Sequence, residues 1–382
     1  MSDKQKVFRI GPIRPPSEAD SLLLQVTEGC TWNKCRFCNL YRHTKFRAYT
    51  VDSIKEDIDI MGWYASLIKK HRKTGQWDIA AINAEMDHMS SEEANCCYMI
   101  ANWLISGGKN VFLQDGNTLA LSAGKLIEVL KYLREIFPQI ERITSYGRAE
   151  TLSKVSVEEY KELKNVGLDR IHSGFETGCD AVLELINKGT TVEQEIRAGK
   201  NIKGGGIELS VYFMPGVGGK ELSVDNAMGT SHVVREIDPD FVRIRTAALK
   251  PGTELYELYQ QGRFTMCSDD DKLNEIKLLI ENTKECSGRL VSDHIINLLQ
   301  TVEGSLKDDR LKMLATIDAY FSLPEKERKI FQLARRSGGV TSIEDLSRMT
   351  EQQREKLENI SMNYGSGRKW DEAMNEMISR YI

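Results

Sequence analysis

The sequence predicts an α/β fold, a partial (β/α)6 TIM-like barrel followed by a helical C-terminal extension. Two observations lead to this fold class. Six short apolar segments of strand character alternate with helical segments between residues 20 and 255, and this alternation predicts a parallel sheet with right-handed crossovers. Six strand–helix units fall short of the eight that close a full barrel. We therefore expect an open barrel.

Each element of the barrel has its own signal. The helices are predicted from apolar residues at helical spacing and from Ser-x-x-Glu or Thr-x-x-Glu capping patterns. They cover about 51–72, 91–106 and 223–237, and others contain Leu126–Phe137 or begin near Ser156 and Thr190. The predicted strands are 21–27, Lys109–Leu113, Arg142–Tyr146, Asp169–Ser173, Ile207–Met214 and Phe241–Ala247.

The same signals divide the chain into three parts. Residues 1–19 form an N-terminal extension, 20–255 form the barrel, and 256–382 form a charged, mostly helical region. Within the barrel, residues 75–107 exceed what one crossover helix needs, and we interpret them as an extra helical segment that serves as a lid or a substrate wall.

Composition excludes several classes of protein. Of 382 residues, 41% are hydrophobic and 28% are charged, which is globular composition and excludes a disordered chain. No run of 18 apolar residues exists, and the first residues lack an apolar signal core. We therefore expect a cytoplasmic protein with no membrane partner. The net charge of −4 gives no indication of nucleic acid.

Three of the eight cysteines are clustered, in the pattern C-x4-C-x2-C directly after the first strand. Clustered cysteines in a cytosolic chain indicate a metal site or catalysis rather than disulfides, and active sites of α/β barrels lie at the carboxyl ends of strands. Two occupants fit Cys30, Cys35 and Cys38. With His43 they make four zinc ligands; alone they bind three irons of a [4Fe–4S] cluster and leave one iron open.

The remaining cysteines do not predict a second cluster. Cys96 and Cys97 are adjacent in a predicted helix and point about 100° apart. Cys179, Cys267 and Cys286 have no partner at ligand spacing.

Later motifs favour the iron–sulfur interpretation. After the cysteines come Arg170–Gly178 (RIHSGFETG), Leu185–Gly189 (LINKG) and the strand and turn of Ser210–Gly219. Together they resemble the radical S-adenosylmethionine (radical SAM) superfamily, in the branch of the methylthiotransferases, the elongator catalytic subunit and coproporphyrinogen dehydrogenase. The resemblance covers about residues 20–255. The superfamily's commonest first cysteine gap holds three residues, and here it holds four.

The resemblance implies a chemistry. Cys30, Cys35 and Cys38 would bind a [4Fe–4S] cluster whose open iron takes the amino and carboxylate groups of SAM. Reductive cleavage of SAM would give a 5′-deoxyadenosyl radical that abstracts hydrogen from a substrate, with flavodoxin or ferredoxin as a typical electron donor. The catalytic residues that act on the substrate and the substrate itself are not identified.

The resemblance also implies cofactor-binding residues. Phe37 would lie beside adenine, Asp115 would meet the SAM ammonium, and Arg148 and Arg245 would bind the SAM carboxylate or the substrate. Ser173 and Glu176 match positions near the ribose and methionine parts of SAM. The loop after the second strand and the turn after the fifth contribute the other candidates, which are Gln114, Gly116, Asn117, Met214 and Gly216.

Structural roles remain alternatives for several of these residues. Glu176 is also explained as a helix-capping acid, Arg148 and Arg245 as ion-pair partners, and Gln114 and Asn117 as partners of loop backbone groups. Residues 291–297 include a cluster of polar side chains. We interpret this stretch as a helix whose polar residues contact the substrate, with a helix N-cap as the alternative.

Two other functions also stay open. One is a non-catalytic zinc or Fe–S binding protein that uses Cys30, Cys35, Cys38 and His43; the other is a SAM-dependent methyltransferase. Because the chain is not basic, a small-molecule substrate is favoured, with RNA or protein as alternatives.

Overall fold

A computed structural model of the chain describes residues 5–381. The chain forms two compact units. Unit one contains the residues up to Thr31, Tyr41–His172 and Asn201–Glu208. Unit two contains Trp32–Leu40, Ser173–Lys200 and the residues from Leu209 onward.

Unit one is an α/β structure. Its elements in chain order are β1 (Leu22–Gln25), β2 (Thr27–Glu28), β3 (Arg47–Ala48), α1 (Val51–Lys69), β4 (Arg72–Lys73), β5 (Gln76–Trp77), α2 (Ile79–Met86), α3 (Ser91–Ile105), β6 (Asn110–Gln114), α4 (Ala123–Ile136), β7 (Arg142–Tyr146), α5 (Ala149–Leu152), α6 (Val157–Asn165) and the first part of β8 (Leu168–Glu176).

Parallel strands make the sheet of unit one. β1 pairs with β6, β6 with β7, and β7 with β8, all in parallel register. The apolar side chains of β1 and β6 are buried, as expected for strands covered on both faces. Helix α1 begins at a Thr50 N-cap and buries the apolar positions that predicted it, Ile54, Ile58, Met61, Ala65 and Ile68.

The segment 75–107 contains the second strand of a short hairpin and two helices. β4 and β5 pair antiparallel, and α2 and α3 follow. The predicted capping box at the start of α3 is present: the Ser90 hydroxyl accepts from the Glu93 N–H, and the Glu93 carboxylate accepts from the Ser90 N–H. The Ser156 and Glu159 box at the start of α6 is present too. Each cap stabilises its helix by about 1 kcal/mol.

Unit two holds the rest of β8 and the C-terminal helices. Its elements are α7 (Asp180–Leu185), most of α8 (Val192–Gly204), β9 (Glu208–Phe213), α9 (Ser223–Ile237), β10 (Phe241–Ile244), α10 (Glu254–Gln260), α11 (Asp269–Asn282), β11 (Arg289–Val291), β12 (Gly304–Ser305), α12 (Arg310–Phe321), α13 (Glu325–Arg336), α14 (Glu351–Tyr364) and α15 (Arg368–Ser379).

The predicted start of α8 is wrong by one residue. The Thr191 hydroxyl, not that of Thr190, accepts from the Gln194 N–H at 3.3 Å, and the Gln194 side chain accepts from the Thr191 N–H at 3.0 Å. Both threonines fit the capping pattern because a polar residue follows each at the third position. The pattern alone does not decide between them.

The predicted helix through 291–297 is also wrong. Residues up to Val291 form β11, which pairs parallel with β10 (Arg243 opposite Val291), and the residues after Val291 form a loop. A three-residue strand is too short to show an alternating pattern, so a tertiary pairing decided the structure here.

The predicted fold class is confirmed. All six predicted strands are present as β1, β6, β7, β8, β9 and β10, they alternate with helices, and β1–β6, β6–β7, β7–β8 and β9–β10 pair in parallel. The region after residue 255 is mostly helical, as expected. Among residues 5–381, no helix combines the length and the apolar character needed to cross a bilayer.

Glu275 of α11 positions the turn after β9. Its buried carboxylate accepts hydrogen bonds from the Gly216 N–H (3.0 Å), the Ser223 hydroxyl (2.6 Å) and the Asn226 amide (2.7 Å). Burial raises the pKa of Glu275 to about 7, and these hydrogen bonds offset only part of the effect. This carboxylate therefore fixes Gly216, one of the predicted cofactor-binding residues.

We predict that Glu275 makes stability depend on pH. Its pKa rises from an ordinary 4.5 to about 7 in the folded chain, so the folded state binds more protons between these values. The free energy of unfolding therefore falls as pH rises through this window, by about 3 kcal/mol at most. Glu275→Gln should remove this part of the fall when urea unfolding is followed by circular dichroism at pH 5 and pH 8. The exposed Glu281→Gln is the matched control, and equal slopes in the two variants would contradict the assignment.

Candidate functional site

The three clustered cysteines lie on a loop without regular secondary structure. Antiparallel pairing of β2 with β3 closes its base, with Thr27 opposite Ala48. Cys30 belongs to unit one, and Cys35 and Cys38 belong to unit two. Cys30 and Cys35 are partly exposed, and Cys38 is exposed.

In unit one, Cys30 is bordered by the loop that follows β6. A Cβ added at Gly116 would lie 3.2 Å from the Gly29 carbonyl oxygen and 3.8 Å from the Cys30 Cβ. A side chain at Gly116 would therefore press on the Gly29 carbonyl and the Tyr41 ring, while its contact with Cys30 would be an ordinary one. A guanidinium nitrogen of Arg148 lies 4.0 Å from the Cys30 sulfur, and this positive charge suits a thiolate ligand.

Asp115 supports the same part of the cysteine loop. Its buried carboxylate accepts hydrogen bonds from the Gly29 N–H at 3.2 Å and from the Tyr41 hydroxyl. Burial raises the pKa of Asp115 to about 6, although both hydrogen bonds act in the opposite direction. Sequence reasoning gave Tyr41 no role, and only the folded contact identifies it.

Asn117 links three segments of unit one. Its amide donates to the hydroxyls of Thr31 (2.9 Å) and Thr151 (2.8 Å), and its carbonyl oxygen accepts from the Arg148 N–H at 3.0 Å. Asn117 therefore ties the chain next to Cys30 to the residue whose guanidinium faces the Cys30 sulfur.

Gln114 faces another part of the chain. Its side chain accepts from the Gly11 N–H at 2.8 Å and donates to the carbonyls of Gly11 (3.0 Å) and Ile13 (2.6 Å). The side chain thus holds the N-terminal extension, and a cofactor role for Gln114 stays a prediction.

In unit two, the turn Leu185–Gly189 binds the cysteine loop. The Trp32 indole N–H donates to the Asn187 carbonyl at 2.7 Å, and the Asn187 amide donates to the Lys34 carbonyl at 2.9 Å. Gly189 has a φ of +67°, and a Cβ there would lie 2.4 Å from the Trp32 ring. Only glycine fits this contact.

Arg36, between Cys35 and Phe37, extends the same attachment. Its N–H donates to the Ile186 carbonyl at 2.9 Å, and its guanidinium donates to the Leu185 carbonyl at 2.8 Å. The guanidinium also pairs with Glu254 of α10 at 2.8 Å. These contacts fix Cys35 and Phe37, the neighbours of Arg36 in the sequence, relative to the turn Leu185–Gly189.

Glu176, at the end of β8, forms a buried ion pair. Its carboxylate accepts from the Lys188 ammonium at 2.8 Å, and its carbonyl accepts from the Met214 N–H at 2.7 Å. The Lys188 nitrogen lies 5.5 Å from the centre of the Phe37 ring. Lys188 therefore lies beside two predicted residues of unit two, Phe37 and Glu176, and the main chain of Glu176 holds a third, Met214.

The surroundings of this pair shape it further. A Cβ at Gly174 would lie 2.4 Å from the Glu176 carboxylate, so glycine makes room for that group. Ser173, on the same strand, is buried.

Sequence reasoning missed two charged residues of this region. Lys188 lies inside the LINKG motif, but its charge received no role. Glu195 of α8 is fully buried, neither of its carboxylate oxygens has a hydrogen-bond partner among residues 5–381, and burial raises its pKa well above the usual range. An acid within an amphipathic helix gives no sequence signal of burial.

The remaining candidate, Arg245, lies on the segment that follows β10. Its guanidinium carbon is 5.1 Å from the centre of the Tyr212 ring. The main-chain N–H of Arg245 donates to the Phe213 carbonyl at 2.8 Å.

The surroundings of the three cysteines bear on the two occupants that the sequence left open, a zinc ion and a [4Fe–4S] cluster. His43, the proposed fourth zinc ligand, is exposed, and the described part of the chain contains no group of three or more His, Cys, Asp or Glu placed to hold a single metal ion. Three cysteine ligands are the number that a [4Fe–4S] cluster with one open iron takes, and the assignment of Cys30, Cys35 and Cys38 to such a cluster stays a prediction.

Part of the chain is similar to known proteins. Residues 97–225 match the family model described as the Radical SAM superfamily. A "tRNA uridine(34) acetyltransferase" of Methanocaldococcus jannaschii is 29% identical over 119 residues, which are 31% of this chain and 22% of that protein. A "Heme chaperone HemW" of Bacillus subtilis is 22% identical over 157 residues, 41% of each chain. The chain thus spans about a fifth to two-fifths of the length of these relatives.

Among solved structures, the Elp3 protein of Methanocaldococcus infernus superposes with a TM-score of 0.40 and 20% identity over 48% of each chain. The family match assigns residues 97–225, about a third of the chain, to the radical SAM superfamily, whose cofactors are a [4Fe–4S] cluster and S-adenosylmethionine.

Proposed function

We propose that Cys30, Cys35 and Cys38 bind a [4Fe–4S] cluster and that this chain cleaves SAM reductively. One observation carries the proposal. The loop that holds the cysteines is hydrogen-bonded to the turn Leu185–Gly189, and this turn lies inside the stretch 97–225 that matches the family. The cysteines are therefore attached to the family's own scaffold.

The bound cofactors supply the one-electron chemistry. With these cofactors bound, transfer of one electron to the SAM sulfonium would break the C5′–S bond to give methionine and a 5′-deoxyadenosyl radical, which would take a hydrogen atom from the substrate and become 5′-deoxyadenosine. The electron comes from a donor such as flavodoxin or ferredoxin, or from dithionite in vitro. The protein positions the reactants and excludes water.

The residues of unit two supply contacts for SAM. Phe37 offers an aromatic face for adenine, and the Glu176–Lys188 pair offers one charge of each sign for the zwitterionic methionine end. Because the pair is buried, its charges act in a medium of low dielectric, where their interaction with a charged ligand is stronger than at a surface. Met214 and Gly216 contribute the main chain of the turn after β9.

The residues of unit one support the first cysteine. Arg148 places positive charge beside Cys30, and Asn117 orients the main chain of Arg148. We propose that Asp115 and Gly116 add further cofactor contacts from unit one, with the Asp115 carboxylate as a partner of the SAM ammonium, and that Ser173 of unit two contributes another.

We propose a small-molecule substrate. The net charge of −4 gives no electrostatic support for a polyanion. The acetyltransferase of Methanocaldococcus jannaschii acts on tRNA by its name, but the matched region is only 22% of that protein.

The cysteine assignment predicts the behaviour of three variants. Cys30→Ala, Cys35→Ala and Cys38→Ala should each lower 5′-deoxyadenosine formation by at least about 100-fold, since even residues that only support a metal ligand contribute 10–100-fold. The measurement is anaerobic reconstitution, then SAM plus dithionite, with iron, zinc and nucleoside products quantified.

Controls for this assay separate the alternatives. Cys179→Ala and His43→Ala should keep both iron and product. Loss of bound zinc in His43→Ala would indicate the zinc-binding protein, and S-adenosylhomocysteine in place of deoxyadenosine would indicate a methyltransferase. Either result would contradict the proposal.

The buried pair predicts a SAM-binding variant. Glu176→Gln keeps the shape of the side chain but removes its charge, so the dissociation constant for SAM should rise about tenfold or more, the usual cost of a charged hydrogen bond. Equilibrium dialysis of cluster-loaded protein measures it, with the exposed Glu184→Gln as control. An unchanged dissociation constant at unchanged iron content would show that Glu176 does not contact SAM.

A further inference from the structure

Strands β9 and β10 bury apolar side chains on one face and present polar ones on the other. The apolar face carries Leu209, Val211, Phe213, Val242 and Ile244, all buried. The opposite face carries Ser210, Tyr212, Arg243 and, just past β10, Arg245, with Arg243 in register with Tyr212. A sheet face with two arginines needs anions, because an uncompensated buried charge is costly.

Arg243 has its anion within the chain. Its guanidinium forms an ion pair with Asp293, which follows β11, and donates to the Ser210 hydroxyl at 3.1 Å. The charges of Arg243 and Asp293 therefore cancel. The other carboxylate oxygen of Asp293 is buried and accepts no hydrogen bond from any described residue.

Arg245 has no such anion. Its guanidinium stacks over the Tyr212 ring at 5.1 Å. Throughout residues 5–381 it forms no ion pair and no side-chain hydrogen bond, although it is only partly exposed. One positive charge on this face is uncompensated.

His294 lies on the loop after β11, which is tied to the segment of Arg245 because the Asn297 side-chain oxygen accepts hydrogen bonds from the Thr246 N–H (3.3 Å) and hydroxyl (2.8 Å). Burial, assisted by the positive charge of Arg245, lowers the pKa of His294 to about 4, so the ring is uncharged at neutral pH. Its Nδ1 lies 3.5 Å from the Ile296 N–H. This contact favours the tautomer that carries its proton on Nε2.

We propose that Arg245 binds a carboxylate group of the substrate and that the His294 ring supplies a second hydrogen-bond donor to the same group. The charges of Arg243, Asp293 and Arg245, with His294 neutral, sum to one positive charge, which matches the single negative charge of a carboxylate. A phosphate monoester carries about −1.5 to −2 and would leave excess negative charge. This inference rests on the proposed function and makes its substrate a small carboxylic acid.

The test is direct binding of benzoate as the probe, by equilibrium dialysis against cluster-loaded protein at pH 8. Arg245→Gln should raise the dissociation constant for benzoate about tenfold or more, and the exposed Arg263→Gln should leave it unchanged. Inorganic phosphate should bind more weakly than benzoate. Equal benzoate affinity in Arg245→Gln and the unaltered chain, or tighter binding of phosphate, would overturn the proposal.

A second variant and a competition experiment with SAM complete the test. Should Arg245→Gln fail to fold, His294→Gln should raise the benzoate dissociation constant several-fold, and no change would overturn the proposal. Saturating benzoate should leave the dissociation constant for SAM within about twofold. Competition would assign Arg245 to the SAM carboxylate and overturn the substrate site while leaving SAM cleavage intact. Deoxyadenosine formation, measured separately, reports on the proposed function alone.

Discussion

The attachment of the cysteine loop to the turn Leu185–Gly189 is the constraint on which the account depends. A loop without regular secondary structure has no internal pattern of hydrogen bonds to hold its ligands. Here the partners come from about 150 residues further along the chain, through Trp32, Arg36 and the close contact at Gly189. The entropy of ordering this loop is thus compensated by contacts far from it in sequence.

Charge is distributed unequally around the candidate residues. The Glu176–Lys188 pair is buried and compensated, whereas Glu195 is buried without a hydrogen-bond partner among the described residues, and burial raises its pKa. Buried ionisable groups cost stability unless they are paired. Such groups concentrate where ligands bind, and a zwitterion such as the methionine end of SAM is suited to a compensated pair that can exchange partners.

Local signals in the sequence predicted the elements well, and long-range contacts escaped prediction. The strands, the cysteine loop and the caps at Ser90 and Ser156 follow from patterns that span a few residues. By contrast, β11 exists because it pairs with β10, and the Gln114 side chain holds residues 11–13. Lys188 and Glu195 were missed for the same reason, since burial of a charged residue depends on the folded surroundings.

The most direct test of the central claim is electron paramagnetic resonance of the anaerobically reduced protein before and after SAM is added. If the three cysteines leave one iron open to SAM, the reduced protein should show a [4Fe–4S] signal whose position or shape changes when SAM binds. A cluster signal that SAM leaves unaltered, or a protein that contains zinc and gives no signal, would contradict the account.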